Sequence, residues 1–184
     1  MELMKPLLET SQRFFRSLNA EPAGGLLQSL KRRGGYRLLN RFIAHAIPFT
    51  SRNGFQIVAT GPGYVKASVA LKGNTNHFGT MYAGAMFVLA EIPGGVLSLL
   101  EFGTDYVPIL RELNMTYLRT APSDVTVEFR LPPETVDLIR DEIRQRGKAH
   151  FELEGELRDS TGELVARSFA RYQVRPQGWH CGAE

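Results

Sequence analysis

Residues 76–91 read NHFGTMYAGAMFVLAE, and the apolar run they open continues to Leu100. The polar, glycine-bearing Asn76-His77-Phe78-Gly79-Thr80 gives way to a segment with one ionisable side chain, Glu91, followed by Pro93. The window 81–100 is long enough to cross a bilayer. A carboxylate near the bilayer centre costs roughly 3 kcal/mol, however. Gly84, Pro93, Gly94 and Gly95 weaken a lipid-facing helix further, and no cluster of Lys or Arg marks either end. A helix apolar all round is then better placed at the centre of a globular domain.

The flanking sequence supplies the strands that such a helix needs. In YVKASVAL, Val65, Ala67, Val69 and Leu71 alternate with Lys66, Ser68 and Ala70. After the helix, expected over about 81–102, Leu113, Met115 and Tyr117 alternate with Glu112, Asn114 and Thr116. Val125, Val127, Phe129 and Leu131 do the same against Thr126, Glu128 and Arg130. Pro132-Pro133 open a short amphipathic helix with Val136, Ile139 and Ile143 on one face and Gly147 as its stop. The segment 148–175 predicts a hairpin turning at Asp159-Ser160-Thr161-Gly162. Two strands, one long helix, then four strands with a helix inserted between the second and third predict an α+β fold, an antiparallel sheet wrapped on the central helix. The free sheet face or the sheet edge invites dimerisation.

Residues 1–50 carry apolar residues at helical spacing, interrupted by Pro22, Gly24-Gly25 and Gly34-Gly35. The boundaries expected are a helical extension over 1–50, one domain over 51–176 and a tail over 177–184. The second helical piece is basic, with Lys31, Arg32, Arg33, Arg37 and Arg41. A solvated helix face is the stronger reading of it, and a membrane-surface or anionic-ligand role the weaker.

The 184 residues are 43% hydrophobic and 22% charged, with 22 basic and 19 acidic side chains leaving +3. That balance gives nucleic-acid binding little support, and membrane contact is not expected. A single cysteine, Cys181 beside His180 in the tail, rules out an intramolecular disulfide framework and fits a reducing compartment. MELMKPLLETSQRFF has no sustained apolar core and no small-residue cleavage site, so a cytoplasmic address is expected. No metal site is expected.

The chemistry concentrates where the opening stretch enters its helix. A helix N-terminus presents unpaired amides and a positive dipole end. Small residues such as Ala83 and Gly84 let a ligand oxygen approach them, which is how backbone builds an oxyanion hole. Glu91 lies two to three turns further on, in an apolar setting that raises a carboxyl pKa towards the range of a general base. The bland alternative, a buried acid paired with Arg111 or Arg119, weighs equally. Taken alone, Asn76 reads as a turn residue, His77 as a loop histidine and Tyr82 as core.

The same stretch resembles the approach and central helix of hotdog-fold acyl-CoA thioesterases of the phenylacetate-pathway type. That pattern runs Asn, x, x, Gly, x, x, His-Gly-Gly-Ala, then Leu-Ala-Asp. Asn76, Gly79, Gly84, Ala85, Leu89 and Ala90 match at the same spacing. LNMTYLRTAP (113–122) and ELRDSTGELVARS (156–168) are similar to the family's later strand and final hairpin. The helical start and the helix at 133–146 look like a divergent branch, the DUF4442 type. Tyr82 stands where the pattern has His, Ala83 where it has Gly, and Glu91 where it has Asp.

The resemblance implies a homodimer or tetramer with sites between subunits. Glu91, as base or nucleophile, and Asn76, orienting substrate or water, would be the catalytic residues, and Gly79, Tyr82, Ala83 and Gly84 would bind substrate or form the oxyanion hole. The substrate would be a thioester of coenzyme A or of acyl carrier protein, with no cofactor beyond the coenzyme A of the substrate. Two alternatives stand beside it. One is a non-catalytic acyl-binding module. The other is a hydroxyacyl-thioester dehydratase using His77 with Glu91.

Overall fold

The computed structural model describes residues 26–178; the helix expected over the first twenty residues and the tail with His180 and Cys181 lie outside the described residues. Helices α1 (Leu26–Ala46) and α2 (Pro48–Arg52) lead into strands β1 (Gln56–Gly61) and β2 (Tyr64–Val69). The central helix α3 (Ala83–Phe102) follows, then β3 (Tyr106–Tyr117), β4 (Val125–Arg130), α4 (Pro133–Arg146) and the hairpin β5 (Ala149–Asp159) and β6 (Leu164–Pro176). The strands form one antiparallel sheet in the order β1-β2-β4-β5-β6-β3.

The sheet curves round α3, which packs against β2, β3, β4, β5 and β6. Leu89, Ala90 and Leu97 of α3 are fully buried, as are Val65, Val125, Leu157 and Val174 of the strands. The longest apolar helix is therefore the core of the domain, which is why its hydrophobic residues run all round it. The chain continues as helix through Pro93.

Alternation on the strands sorts the two sheet faces. On β5, Phe151, Leu153 and Leu157 face α3 while Glu152, Glu154, Glu156 and Arg158 point outward. The outer face is knitted by cross-strand ion pairs, Lys66–Glu128 at 2.9 Å and Arg171 to Glu112 and Glu152 at 2.9 and 3.1 Å. Such exposed pairs stabilise by at most about 1 kcal/mol each. They mark this face as a solvated one.

The two sheet edges are treated differently. Along β1, the Asn40 side chain of α1 accepts from the Ile57 amide at 2.7 Å and donates to the Ile57 carbonyl at 3.0 Å. The Tyr36 hydroxyl accepts from the Thr60 amide at 3.0 Å. Asn40 thus makes the bond pair that a neighbouring strand would make. Among the described residues, strand β3 pairs only with β6, and it carries Pro108, which a strand tolerates where no ladder amide is required.

Helix α1 runs unbroken through Gly34-Gly35, where the sequence predicts an interruption. Each helical glycine costs about 1 kcal/mol. Burial of Leu39 and Ile43 and the bonds from Tyr36 and Asn40 to β1 offset that cost.

At the far end of α3, Glu101 accepts from the Gly63 amide at 2.6 Å and pairs with Arg140 of α4 at 3.3 Å. Gly63 has φ +59, and an added Cβ there would fall 2.1 Å from the Leu131 carbonyl oxygen. Only glycine fits that turn. As predicted, α4 ends at Gly147, which adopts the left-handed conformation and donates its amide to Ile143.

Candidate functional site

The turn that delivers the chain into α3 is fixed by two asparagines. Asn74 is buried; its amide group donates to the carbonyls of Asn53 and Ala70, both at 2.7 Å, and its own carbonyl accepts from the Tyr82 amide. Asn76 closes the next loop on itself. Its Oδ1 accepts from the amides of Phe78 and Thr80 at 2.9 and 3.2 Å, and its Nδ2 donates to Thr80 Oγ1 at 3.0 Å. Gly79, at φ +78, returns its amide to the Asn76 carbonyl. The side chain of Asn76 is thus engaged in shaping the turn. The His77 and Phe78 rings touch at a tilt of 41°, and Phe78 stands 75% exposed.

Tyr82 caps α3 in extended conformation, with its carbonyl accepting from Ala85 and Met86. The amides of Ala83 and Gly84 have no partner among the described residues, as the start of a helix leaves them. The space a side chain at Gly84 would fill is occupied by the Tyr82 ring, whose Cε1 lies 2.3 Å from where an added Cβ would stand. The Tyr117 hydroxyl of β3 donates to the Ala83 carbonyl at 3.1 Å, tying the open edge strand to the head of α3. Burial, and then the neighbouring Tyr82, push the Tyr117 hydroxyl pKa up.

Glu91 lies eight residues beyond Ala83, about 12 Å along the helix axis. Its carboxylate is half-buried and makes no hydrogen bond or ion pair among the described residues. The arginine partnership that competes with a chemical role is absent here: Arg119 pairs with Glu163, and Arg111 is exposed on β3. Desolvation without a compensating cation pushes the Glu91 carboxyl above the usual carboxylate range.

A residue the sequence reading missed stands beside it. Tyr172 of β6 is buried, stacks on Phe151 at 5.2 Å between centroids, and donates its hydroxyl to the backbone carbonyl of Glu91. Burial and the adjacent Glu91 push the Tyr172 hydroxyl well above its ordinary pKa. Gly94 makes the approach possible, since a Cβ there would sit 2.3 Å from the tyrosine ring. Glycine within a helix is the available signal for such a partner, because its helical cost needs a packing reason.

Three surface clefts, of about 340, 730 and 590 Å³, lie between α3 and α4 and along the charged outer face, and none of the three includes Glu91. Among the described residues, no three His, Cys, Asp or Glu side chains are grouped to hold a metal ion.

Residues 35–174 match the family described as Domain of unknown function (DUF4442). The chain belongs to this family. A Pseudomonas aeruginosa protein of unknown function, described as a probable thioesterase, is 40% identical, with a TM-score of 0.70 over 77% of this chain and 95% of its own. A thioesterase from Haemophilus influenzae is 19% identical, with a TM-score of 0.63 over 79% and 93%, a likeness of fold alone. No curated protein matches the chain. The antiparallel sheet around α3 is thus the hotdog fold that the sequence resemblance implied, in its thioesterase-like form.

Proposed function

We propose that this protein hydrolyses an acyl thioester at a site shared by two copies of the chain, with Glu91 as its carboxylate base. The observation that carries this reading is the unpaired, desolvated carboxylate of Glu91 on the helix whose first turn offers the free amides of Ala83 and Gly84. The 40% identical relative described as a probable thioesterase agrees with it.

Pairing of two copies through β3 is supported by that strand's single neighbour and by the exposed Tyr82, Phe87 and Tyr117 beside it.

In the proposed reaction the thioester carbonyl oxygen takes hydrogen bonds from the Ala83 and Gly84 amides of one copy. Glu91 of the partner subunit removes a proton from water, whose oxygen attacks the carbonyl carbon. Collapse of the tetrahedral adduct breaks the C–S bond, and the thiolate takes the proton back from Glu91. The amides hold the charge that develops on oxygen, and the raised carboxyl pKa suits Glu91 to both proton transfers. Asn76 serves by holding the turn that aims those amides. The thiol half would be coenzyme A or acyl carrier protein, with no cofactor beyond it.

The Tyr82 ring over Gly84 favours a second reading, an acyl-thioester binder without turnover, because it narrows access to the amide. A thiol-release assay over a panel of acyl-CoA and acyl carrier protein thioesters separates the two. Release by the native protein that Glu91→Gln abolishes supports the hydrolase. Undiminished turnover by Glu91→Gln sinks the role given to Glu91, and tight binding without release favours the binder.

A further inference from the structure

The cations of this chain are divided unevenly. Between Glu21 and Glu91 there is no Asp or Glu, while Lys31, Arg32, Arg33, Arg37, Arg41, Arg52, Lys66 and Lys72 all fall in that span. In three dimensions Lys66 of this span finds Glu128 on the next strand, while three of its arginines find no acid. From Arg119 to Arg171 every arginine is held in an ion pair. Arg37, Arg41 and Arg52 are exposed and have no ion pair or hydrogen bond among the described residues.

Helix α1 turns two different faces outward and inward. Leu39 and Ile43 are buried against the sheet. Arg37, Leu38, Arg41 and His45 lie within an arc of about 100° on the other side, at 100° per residue. Leu38 is 50% exposed, and beyond the end of α1 Ile47 and Phe49 are 43% and 58% exposed. Helix α4 is the internal control. Its outer face also presents an apolar residue, Leu138, but there Asp137–Arg140, Asp141–Arg144 and Glu142–Arg146 interleave both signs at helical spacing. That is what a merely solvated helix surface looks like in this protein, and α1 departs from it.

We propose that the outward face of α1, with Ile47, Phe49 and Arg52, docks on an anionic lipid surface. Unpaired cations beside protruding aliphatic and aromatic side chains suit an interface where headgroups supply mobile negative charge and the acyl boundary receives the apolar groups. A protein partner would present carboxylates at fixed positions. Here the cations stand on the outward arc of one helix, and a fluid array of headgroups meets them at whatever spacing that arc sets. The face also has a route to the site: α2 is joined through Asn53 to Asn74, which holds the turn into α3. Docking there sets the acyl site beside a lipid surface, a consequence that rests on the thioesterase reading, whereas the docking itself does not.

The test is co-sedimentation of the full chain with vesicles of phosphatidylcholine alone and of phosphatidylcholine mixed equally with phosphatidylglycerol. Binding is expected to the mixed vesicles only, and to fall as salt is raised. The double change Arg37→Glu with Arg41→Glu should lower partitioning by about tenfold or more. Phe49→Ser should lower it by about tenfold through loss of the buried ring. All three positions are exposed, and a thermal melt checks that each variant folds. Arg37→Gln with Arg41→Gln replaces the charge reversal if it does not. Absence of binding to the mixed vesicles, or equal binding by a folded charge variant, overturns the proposal. Saturable binding to an acidic carrier protein with none to vesicles also overturns it and gives the face to a protein. Thiol release measured on soluble acyl-CoA in the same preparations reports separately on the thioesterase reading.

Discussion

The hydroxyl of Tyr172 on β6 donates to the backbone carbonyl of Glu91 on α3. The bond fixes the rotation of the helix at the residue that matters, and it is possible because Gly94, one turn on, leaves room for the ring. Tyr172→Phe keeps the stacking on Phe151 and removes only the bond, so a loss of about 1 kcal/mol is expected in denaturant unfolding. Gly94→Ala forces the ring away and should cost about 1–3 kcal/mol. If Gly94→Ala leaves the denaturation midpoint unmoved, the close approach described here is wrong.

Glu91 gives opposite signs for activity and stability. Glu91→Gln should lower thioester hydrolysis by roughly 10²–10⁴-fold, the range for loss of a general base. The raised carboxyl pKa means that the folded state binds its proton more tightly than the unfolded chain does. Stability from this group is therefore complete below the unfolded-state pKa and declines as pH rises through the folded-state value. Glu91→Gln should accordingly melt higher than the native protein at neutral pH, with the difference vanishing in acid. A thermal-shift series across pH reads this directly, and a variant that melts lower at neutral pH argues for a hidden partner of the carboxylate.

Much of this was visible in the chain itself. The one-charge apolar run could only be a core helix once alternating strands flanked it, and Gly147 and the Asp159–Gly162 turn stopped their elements where glycine and aspartate chemistry demands. What the sequence could not carry was pairing at long range. The strand order places β6 between β5 and β3, so Tyr172 meets Glu91 across 81 positions. Whether Glu91 had a cation was likewise undecided until Arg119 was found with Glu163. Asn76 illustrates a third limit: the residue type fits a turn and a reaction equally well, and only the bonds to Phe78 and Thr80 show where its side chain is engaged.

If two copies share the site, half-sites can be exchanged. Glu91→Gln and Gly84→Val should each be inactive alone, the second because any side chain at Gly84 displaces the Tyr82 ring. Mixed after unfolding and refolding together, they should regain part of the native rate, since a mixed pair carries one intact set of amides and one intact carboxylate. No recovery, with pairing verified by sedimentation, would place both groups in one chain.

Phe87 offers the corresponding test of assembly. It is 41% exposed on α3, one turn before Glu91. Phe87→Glu buries a charge if a second copy covers this face, and should shift sedimentation to the single-chain mass while the melt stays cooperative. An unchanged mass removes this face from the interface.

Asn40→Ala should cost about 1–3 kcal/mol, because it strips both bonds from Ile57 at once. Amide exchange should rise first at Ile57, ahead of the strands at the sheet centre.

The bonds from Asn40 and Tyr36 have a consequence beyond stability. A curved sheet with two open edges could add chains indefinitely, each new copy exposing a fresh template. Here one edge is already occupied by the protein's own helix. A chain with one available edge can join strand to strand once, and the joined pair then presents no template at all. Strand-to-strand growth from the β1 edge is opposed at Ile57 and Thr60 by the same two side chains that anchor α1.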